Sequence, residues 1–302
     1  MSLAPRVVIV HRTTEYEELV AHHGTHGQAA FFLSSRGRDI EEVAERHRRT
    51  RHALSDVTSA IPLTWRQSRV ERADLDRFLF APEDVVVVVG QDGLVANVAK
   101  YLDGQPVVGI DSEPGRNPGV LVRHRPADAG KLLRAALAAG TRADELTMVE
   151  AVADDTQRLL ALNEIYLGAA GHQTARYRLG VEGDGDGGGA VEAQASSGVL
   201  VGTGTGATGW IRSVWEGRGA PLPLPGPTED RLVWFVREAW PSPATGTSQV
   251  AGRLSAAARL TLTAESERLI VFGDGMEGDA LELTWGQVVR VGVCGRRLRL
   301  VG

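Results

Sequence analysis

The chain has 302 residues, of which 43% are hydrophobic and 24% charged, with a formal net charge of −5. That composition fits a globular protein with room for about two domains, each with its own core, and it excludes a general electrostatic attraction to nucleic acid. No apolar run approaches the roughly 20 residues of a membrane span, the N-terminus shows no basic-then-apolar leader pattern, and the single Cys294 forbids an internal disulfide or a cysteine metal cage, so a cytoplasmic protein without membrane attachment is expected.

In chain order, Arg6 to Val10 predicts a short apolar strand, Glu15 to His22 a helix and Ala29 to Leu33 a second strand. Ile40 to Ala60 predicts a long charged helix, with Val43, His47, Leu54 and Val57 as its inward stripe. Its arginines and glutamates, Arg46, Arg48, Arg49 and Arg51 among Glu41, Glu42 and Glu45, read as a solvated face carrying ion pairs. His22, His23 and His26 lack a carboxylate or cysteine at ligand spacing and read as loop residues rather than a metal site.

After a short strand at Arg69 to Val70 and a helix-like Asp74 to Phe80 come the five valines Val85 to Val89, Gly90-Gln91-Asp92-Gly93-Leu94, and a helix over Val95 to Leu102. A β-branched run of this kind is a strand covered on both faces, which places Asp92 at the carboxyl end of a parallel strand, where open α/β sheets bind ligands. The flanking Gly90 and Gly93 let a ligand approach the backbone and leave N–H groups for an anion, with one carboxylate beside it. Such a turn suits phosphoryl transfer to a hydroxyl. Lys100, about two helical turns on, either reaches a phosphate or lies on a solvated face. A strand over Pro106 to Ile110 closes this part.

Beyond about Gly140 short strands dominate: Leu159 to Leu167, Ala175 to Val181, Ala190 to Gln194, Val199 to Val201, Leu232 to Arg237, Leu260 to Leu262, Leu269 to Gly273, Leu281 to Trp285, Val288 to Val293 and Leu298 to Val301. Gly183 to Gly189 and Pro221 to Pro227 read as loops. The fold class expected is α/β: residues 1–135 as a domain with a mostly parallel sheet, whose Asp92 turn suits a nucleotide-binding role, and residues 136–302 as a β-rich domain whose last strands are expected to pack back toward the first. Asn163-Glu164 is either a strand-end turn or a ligand contact. The loop Gly202-Thr203-Gly204-Thr205-Gly206-Ala207-Thr208-Gly209-Trp210 offers N–H groups and small hydroxyls for a phosphate or ribose.

The Gly-Gln-Asp-Gly-Leu turn, the Asn163-Glu164 pair, the Thr/Gly loop, Pro106 to Asp111 and Gly273-Asp274-Gly275 together resemble, in order and spacing, the NAD kinase family. Ser196-Ser197-Gly198, Arg176-Tyr177 and Val236-Arg237-Glu238 look closest to its mitochondrial-type subgroup. The resemblance implies transfer of the γ-phosphoryl of ATP, or of polyphosphate, to the 2′-hydroxyl of the adenosine ribose of NAD with Mg2+, in a homodimer or higher homo-oligomer whose partners are small-molecule nucleotides. It makes Asp92 the general base, with Gly90 and Gly93 beside it, and gives Asn163 and Glu164 the dinucleotide's ribose or adenine. Thr203, Thr205, Thr208, Gly209, Trp210 and Ser213 would line the substrate cleft, and no residue is assigned as a direct metal ligand. Departures from the family pattern are Gln91 for the second glycine, Leu94 for the threonine, and Gly202, Gly204 and Ala207 for serine, proline and serine. A related kinase acting on a nucleoside, sugar or lipid hydroxyl, or a nucleotide-binding sensor without turnover, are the alternative readings.

Overall fold

The sheet of the first unit contains the parallel strands β1 (Arg6–His11), β2 (Arg66–Glu71), β3 (Asp84–Gly90) and β4 (Pro106–Asp111), in the order β2-β1-β3-β4, and Arg299 and Leu300 near the chain end pair in parallel with β4. Residues Asp84 to Val89 of β3 are all buried, because helices cover the sheet and leave no face for polar side chains. Val7, Ile9, Val85, Val87 and Val89 form a core with Leu54 and Val57 of the helix Ile40–Ser59 and with Leu132 and Leu133 of the helix Ala129–Leu137. In chain order the unit's helices are α1 (Glu15–His23), α2 (His26–Ser34), α3 (Ile40–Ser59), α4 (Asp92–Ala99) and α5 (Ala129–Leu137). The computed structural model describes residues 4–116, 119–138, 142–154, 156–183, 190–219 and 221–302. It divides into a first unit of residues 1–144 with 299–302, and a second of residues 145–298.

Two sequence expectations in the first unit change. Ala29 to Leu33 is the interior of α2, not a strand. Thr25 caps the helix by accepting the Gln28 N–H, and Ala29 and Leu33, four apart, are buried on one face while Phe31 is 77% exposed. A short apolar run does not distinguish helix from strand by periodicity. His22, His23 and His26 accordingly belong to α1 and α2 rather than a loop. The helix after the valine strand starts at Asp92 and ends at Ala99, since Gln91 holds the extended backbone of an N-cap residue.

The second unit is built from antiparallel strands: β5 (Ala143–Ala153), β6 (Gln157–Ala161), β7 (Glu164–Gly168), β8 (Ala175–Glu182), β9 (Glu192–Ser196), β10 (Val199–Gly202), β11 (Leu232–Val236), β12 (Ala251–Leu254), β13 (Arg259–Ala264), β14 (Leu269–Gly273), β15 (Met276–Leu283) and β16 (Val288–Val301). One sheet runs β12-β11-β10-β7-β14-β15. The other contains β9-β8-β13-β16, with β5 paired to β16 and β6. Alternate residues such as Ile165, Val199, Trp234 and Val271 from the first and Tyr177, Leu260, Val289 and Val149 from the second share one core. The other face of the six-stranded sheet is covered by α6 (Trp210–Arg218) through Ile211 against Tyr166, Leu200 and Phe235.

Leu159 to Leu167 is two strands broken at Leu162-Asn163, and Val288 to Val301 is one strand where two were expected. Strand β15 stops at Leu283, leaving Trp285 outside it and exposed. Of Gly183 to Gly189, residues 184–189 lie outside the described residues. Among the described residues no helix is long and apolar enough to cross a membrane.

The amino end of the parallel sheet is held by an ion pair. Asp84, fully buried, accepts Arg6 Nε at 2.8 Å, Arg6 Nη2 at 2.6 Å and the Ala81 N–H at 2.7 Å. Arg6→Ala leaves that carboxylate without its cation, and is expected to lower unfolding stability by about 3 kcal/mol or more, read as a fall in urea midpoint at unchanged slope.

Candidate functional site

Between β1 and β3 the chain reverses the direction in which it adds strands, since β2 lies to one side of β1 and β3 to the other. Loops leaving the two strands there splay apart and open a crevice at the carboxyl ends of the strands. A cavity of about 450 Å³ sits at that point, lined by Arg12, Thr13 and Thr14 after β1, Arg72 after β2, Gly90 to Leu94 (except Asp92) after β3, Ser112 and Glu113 after β4, and Arg46, His47 and Thr50 of α3. Gly90, Gln91, Gly93 and Leu94 thus border it as a group. Leu94 is nearly buried, and a Cβ on Gly90 would come within 3.2 Å of its Cδ2.

Asp92 faces elsewhere. Its Oδ2 accepts the Val120 N–H at 2.7 Å, and its Oδ1 accepts those of Leu121 at 2.9 Å and Val122 at 2.8 Å. It borders a smaller cavity of about 220 Å³ together with Gln91, Gly93, Asp111, Glu113, Gly119 and Val122. The segment it gathers passes over β4 so closely that a Cβ on Gly109 would stand 2.1 Å from the Leu121 oxygen. Lys100 is buried at the far end of α4, about 12 Å along the axis from Asp92. The helix therefore separates the two, and Lys100 is not the solvated side chain that was one of its two readings.

In the second unit the turn Leu162 to Glu164 is gathered by Asp274 in the same manner as Asp92 gathers its loop. Asp274 Oδ2 accepts Leu162 N–H at 2.8 Å, and Oδ1 accepts Asn163 N–H at 2.7 Å and Glu164 N–H at 3.4 Å. The Thr/Gly loop is fastened to this turn. Thr203 N–H donates to the Asn163 carbonyl at 2.9 Å, the Thr203 hydroxyl donates to the Leu162 carbonyl at 2.6 Å, and that hydroxyl accepts from Thr205 and Gly206. The close fit requires glycine: a Cβ on Gly206 would be 2.2 Å from the Asn163 oxygen, and one on Gly204 would be 2.1 Å from Gly226 carbon. Asn163, Glu164, Thr203 and Thr205 are therefore brought together, with Thr203 engaged inside the turn.

The Thr205 hydroxyl is buried and has no hydrogen-bond partner among the described residues, which is uncommon and costly for a polar atom. Thr208 donates to the Thr205 carbonyl. Gly209 is the N-cap residue of α6, so Trp210 and Ser213 sit on a helix, and Ser213 is exposed. Trp210 stacks near-parallel on Tyr166 at 6.1 Å, and the Arg237 guanidinium lies 5.6 Å from its ring centre. Cys294 is buried on β16, where burial pushes its thiol up.

Sequence reasoning gives no site role to three residues that shape these sites. Asp274 carries a signal only as the middle of Gly273-Asp274-Gly275, and like Asp92 it directly precedes a glycine. Arg72 follows β2 as Arg12 follows β1, a position visible only once β2 is seen to extend to Glu71. Asn97 lies four residues after Gly93, on the same face of α4. Among the described residues no three His, Cys, Asp or Glu side chains converge in a group able to hold a metal ion.

No protein-family model matches the chain, and no curated protein matches it. Solved structures do. An NAD kinase from Archaeoglobus fulgidus in complex with ATP aligns at a TM-score of 0.58 and 17% identity over 98% of this chain and 93% of that one. Yeast NADH kinase complexed with NADH aligns at 0.60 and 13% identity over 100% of this chain and 84% of that one. At these identities the likeness is one of fold, and it runs through both units.

Burial, and then the negative charge of Asp274, push the Glu164 carboxyl up to about 8 from an ordinary value of 4.5. The folded protein therefore keeps a proton that the unfolded chain releases above 4.5, so the stability associated with it is complete below that pH and is lost as pH rises through about 8. Glu164→Gln is expected to abolish this decline. Urea midpoints at about pH 5 and about pH 9 should converge in the variant and differ in the wild type, the wild type being less stable at the higher pH.

Proposed function

We propose that this protein is an NAD kinase-like phosphotransferase that moves the γ-phosphoryl of ATP to the 2′-hydroxyl of the adenosine ribose of NAD, giving NADP. The observation that carries the reading is the Gly90–Gly93 turn, which opens α4 beside a cavity at the sheet's switch point. The fold around it is shared with kinases solved with ATP and with NADH.

In the reaction the 2′-oxygen bonds to the γ-phosphorus, the bond from that phosphorus to the bridging oxygen breaks, and ADP departs. The hydroxyl proton passes to Asp92. A carboxylate has about four acceptor positions, and the three held by Val120, Leu121 and Val122 fix its orientation while one remains for the substrate hydroxyl. Its value is orientation and late proton uptake rather than strong basicity. Mg2+ in such reactions rides on the donor phosphates with one or two protein carboxylates. The chemistry of Asp111 and Glu113, beside Gly93 on the smaller cavity, fits that use, and the ion would neutralise phosphate charge there. In the second unit Glu164, protonated at neutral pH, has a hydrogen to donate, and the Asn163 turn, the Thr/Gly loop and Trp210 offer small hydroxyls and an aromatic ring of the kind a nucleotide uses.

A second reading, a nucleotide-binding sensor, is favoured by the engagement of Asp92 in holding its loop. One assay separates the two. Wild-type protein with ATP, Mg2+ and NAD is expected to form NADP, and Asp92→Asn to lower kcat by about 100-fold or more while NAD still binds. NAD binding without turnover on ATP, GTP or polyphosphate would sink the enzyme reading in favour of the sensor. Absence of NAD binding would point to a different hydroxyl acceptor.

A further inference from the structure

The wall of the 450 Å³ cavity carries four basic side chains, Arg12, Arg46, His47 and Arg72, and two of them, Arg12 and Arg46, face carboxylates. Arg12 lies 3.8 Å from Glu18, Arg46 donates to Glu15 at 2.6 Å, and His47 Nδ1 is 2.8 Å from the Thr14 hydroxyl. The third wall carboxylate, Glu113, pairs with Arg116. The arginine charge on the wall is thus met by carboxylates, apart from one residue.

That residue is Arg72. Its Nε donates to Asn97 Oδ1 at 2.7 Å, and no carboxylate pairs with it among the described residues. A neutral amide fixes the guanidinium plane without cancelling its charge, and the Nη hydrogens remain as a planar fork of donors. The support is built in. Asn97 is buried on α4, and Glu71, immediately before Arg72, accepts the Thr13 N–H at 2.9 Å, joining the loop after β1 to the turn that carries Arg72. A half-buried arginine in a cavity has every electrostatic reason to take a carboxylate partner, and here a neutral one stands in that place.

We infer that Arg72 is the residue by which this cavity holds a linear phosphate chain, an inference that rests on the phosphoryl-transfer reading and gives its donor a binding residue. The fork matches phosphate oxygens two at a time. The other wall arginines are paired with carboxylates, so Arg72 is the wall arginine whose charge no carboxylate offsets among the described residues. The chain belongs either to a nucleoside triphosphate or to inorganic polyphosphate.

Isothermal titration of the full chain with ATP and with inorganic tripolyphosphate tests this. Arg72→Gln is expected to weaken both by about 10- to 100-fold. Asn97→Asp keeps the Nε bond but gives Arg72 a carboxylate. It is expected to weaken both ligands while the melting temperature without ligand holds or rises, whereas a merely structural strut would leave affinity unchanged. Arg77→Gln, exposed on the same turn, should change neither. If Arg72→Gln does not fold, Asn97→Asp decides alone. Stronger binding of ATP than of tripolyphosphate by the wild type, with both lost in the variants, identifies a nucleotide donor; equal binding, equally lost, identifies the bare chain. A loss confined to ATP, or unaltered affinity in both variants of a wild type that binds, overturns the inference and leaves phosphoryl transfer standing. A wild type that binds neither compound overturns both.

Discussion

A carboxylate that accepts three successive backbone N–H groups is the constraint on which both turns depend. Asp92 does this for residues Val120 to Val122, and Asp274 for Leu162 to Glu164. Backbone N–H groups that leave regular structure need acceptors when they are covered. One ionised side chain supplies several at once, with charge-assisted bonds stronger than neutral ones. Asp92 has a further advantage as the first residue of α4, where the helix dipole favours negative charge. The consequence is geometric: two aspartates tie down residues Val120 to Val122 and the turn before β7.

Close backbone approach is the second half of the same design. Gly109 admits the Leu121 carbonyl onto β4, and Gly206 admits the Asn163 carbonyl under the Thr/Gly loop. Neither approach would survive a methyl group. The first unit thereby keeps its strand ends open at the switch point, and the second keeps a buried hydroxyl, Thr205, and a carboxyl that burial holds protonated, Glu164. Polar groups of this kind cost stability in a packed interior, and their gathering around the Asn163 turn marks it as a place built for something other than packing.

Much of the fold was legible because its signals are local and redundant. The valine run could only be a strand covered on both faces, and α3 shows its apolar stripe at helical spacing over twenty residues. The candidate residues were legible as segments: Gly90 to Gly93, Asn163-Glu164 and the Thr/Gly loop are all turns at strand ends, as their glycines and small hydroxyls indicate. Two kinds of feature were not. Ala29 to Leu33 carries no period long enough to separate helix from strand, and only packing of Ala29 and Leu33 against Ile40 and Val43 decides it. Trp210 reads as the end of the Thr/Gly loop, yet Ile211 packs under the sheet and draws the segment into α6.

By itself the sequence determined the class of fold, the order of its turns and the residue types available at each, since burial patterning and glycine spacing are written in neighbouring residues. Tertiary structure alone decided what each group faces. Asp92 meets backbone amides some thirty residues away, Thr203 bonds the carbonyls of Leu162 and Asn163, and Arg72 meets an amide where a carboxylate would have neutralised it. Those partners lie far apart along the chain, and hydrogen-bond and charge pairing depend on distance in space, which no local pattern encodes.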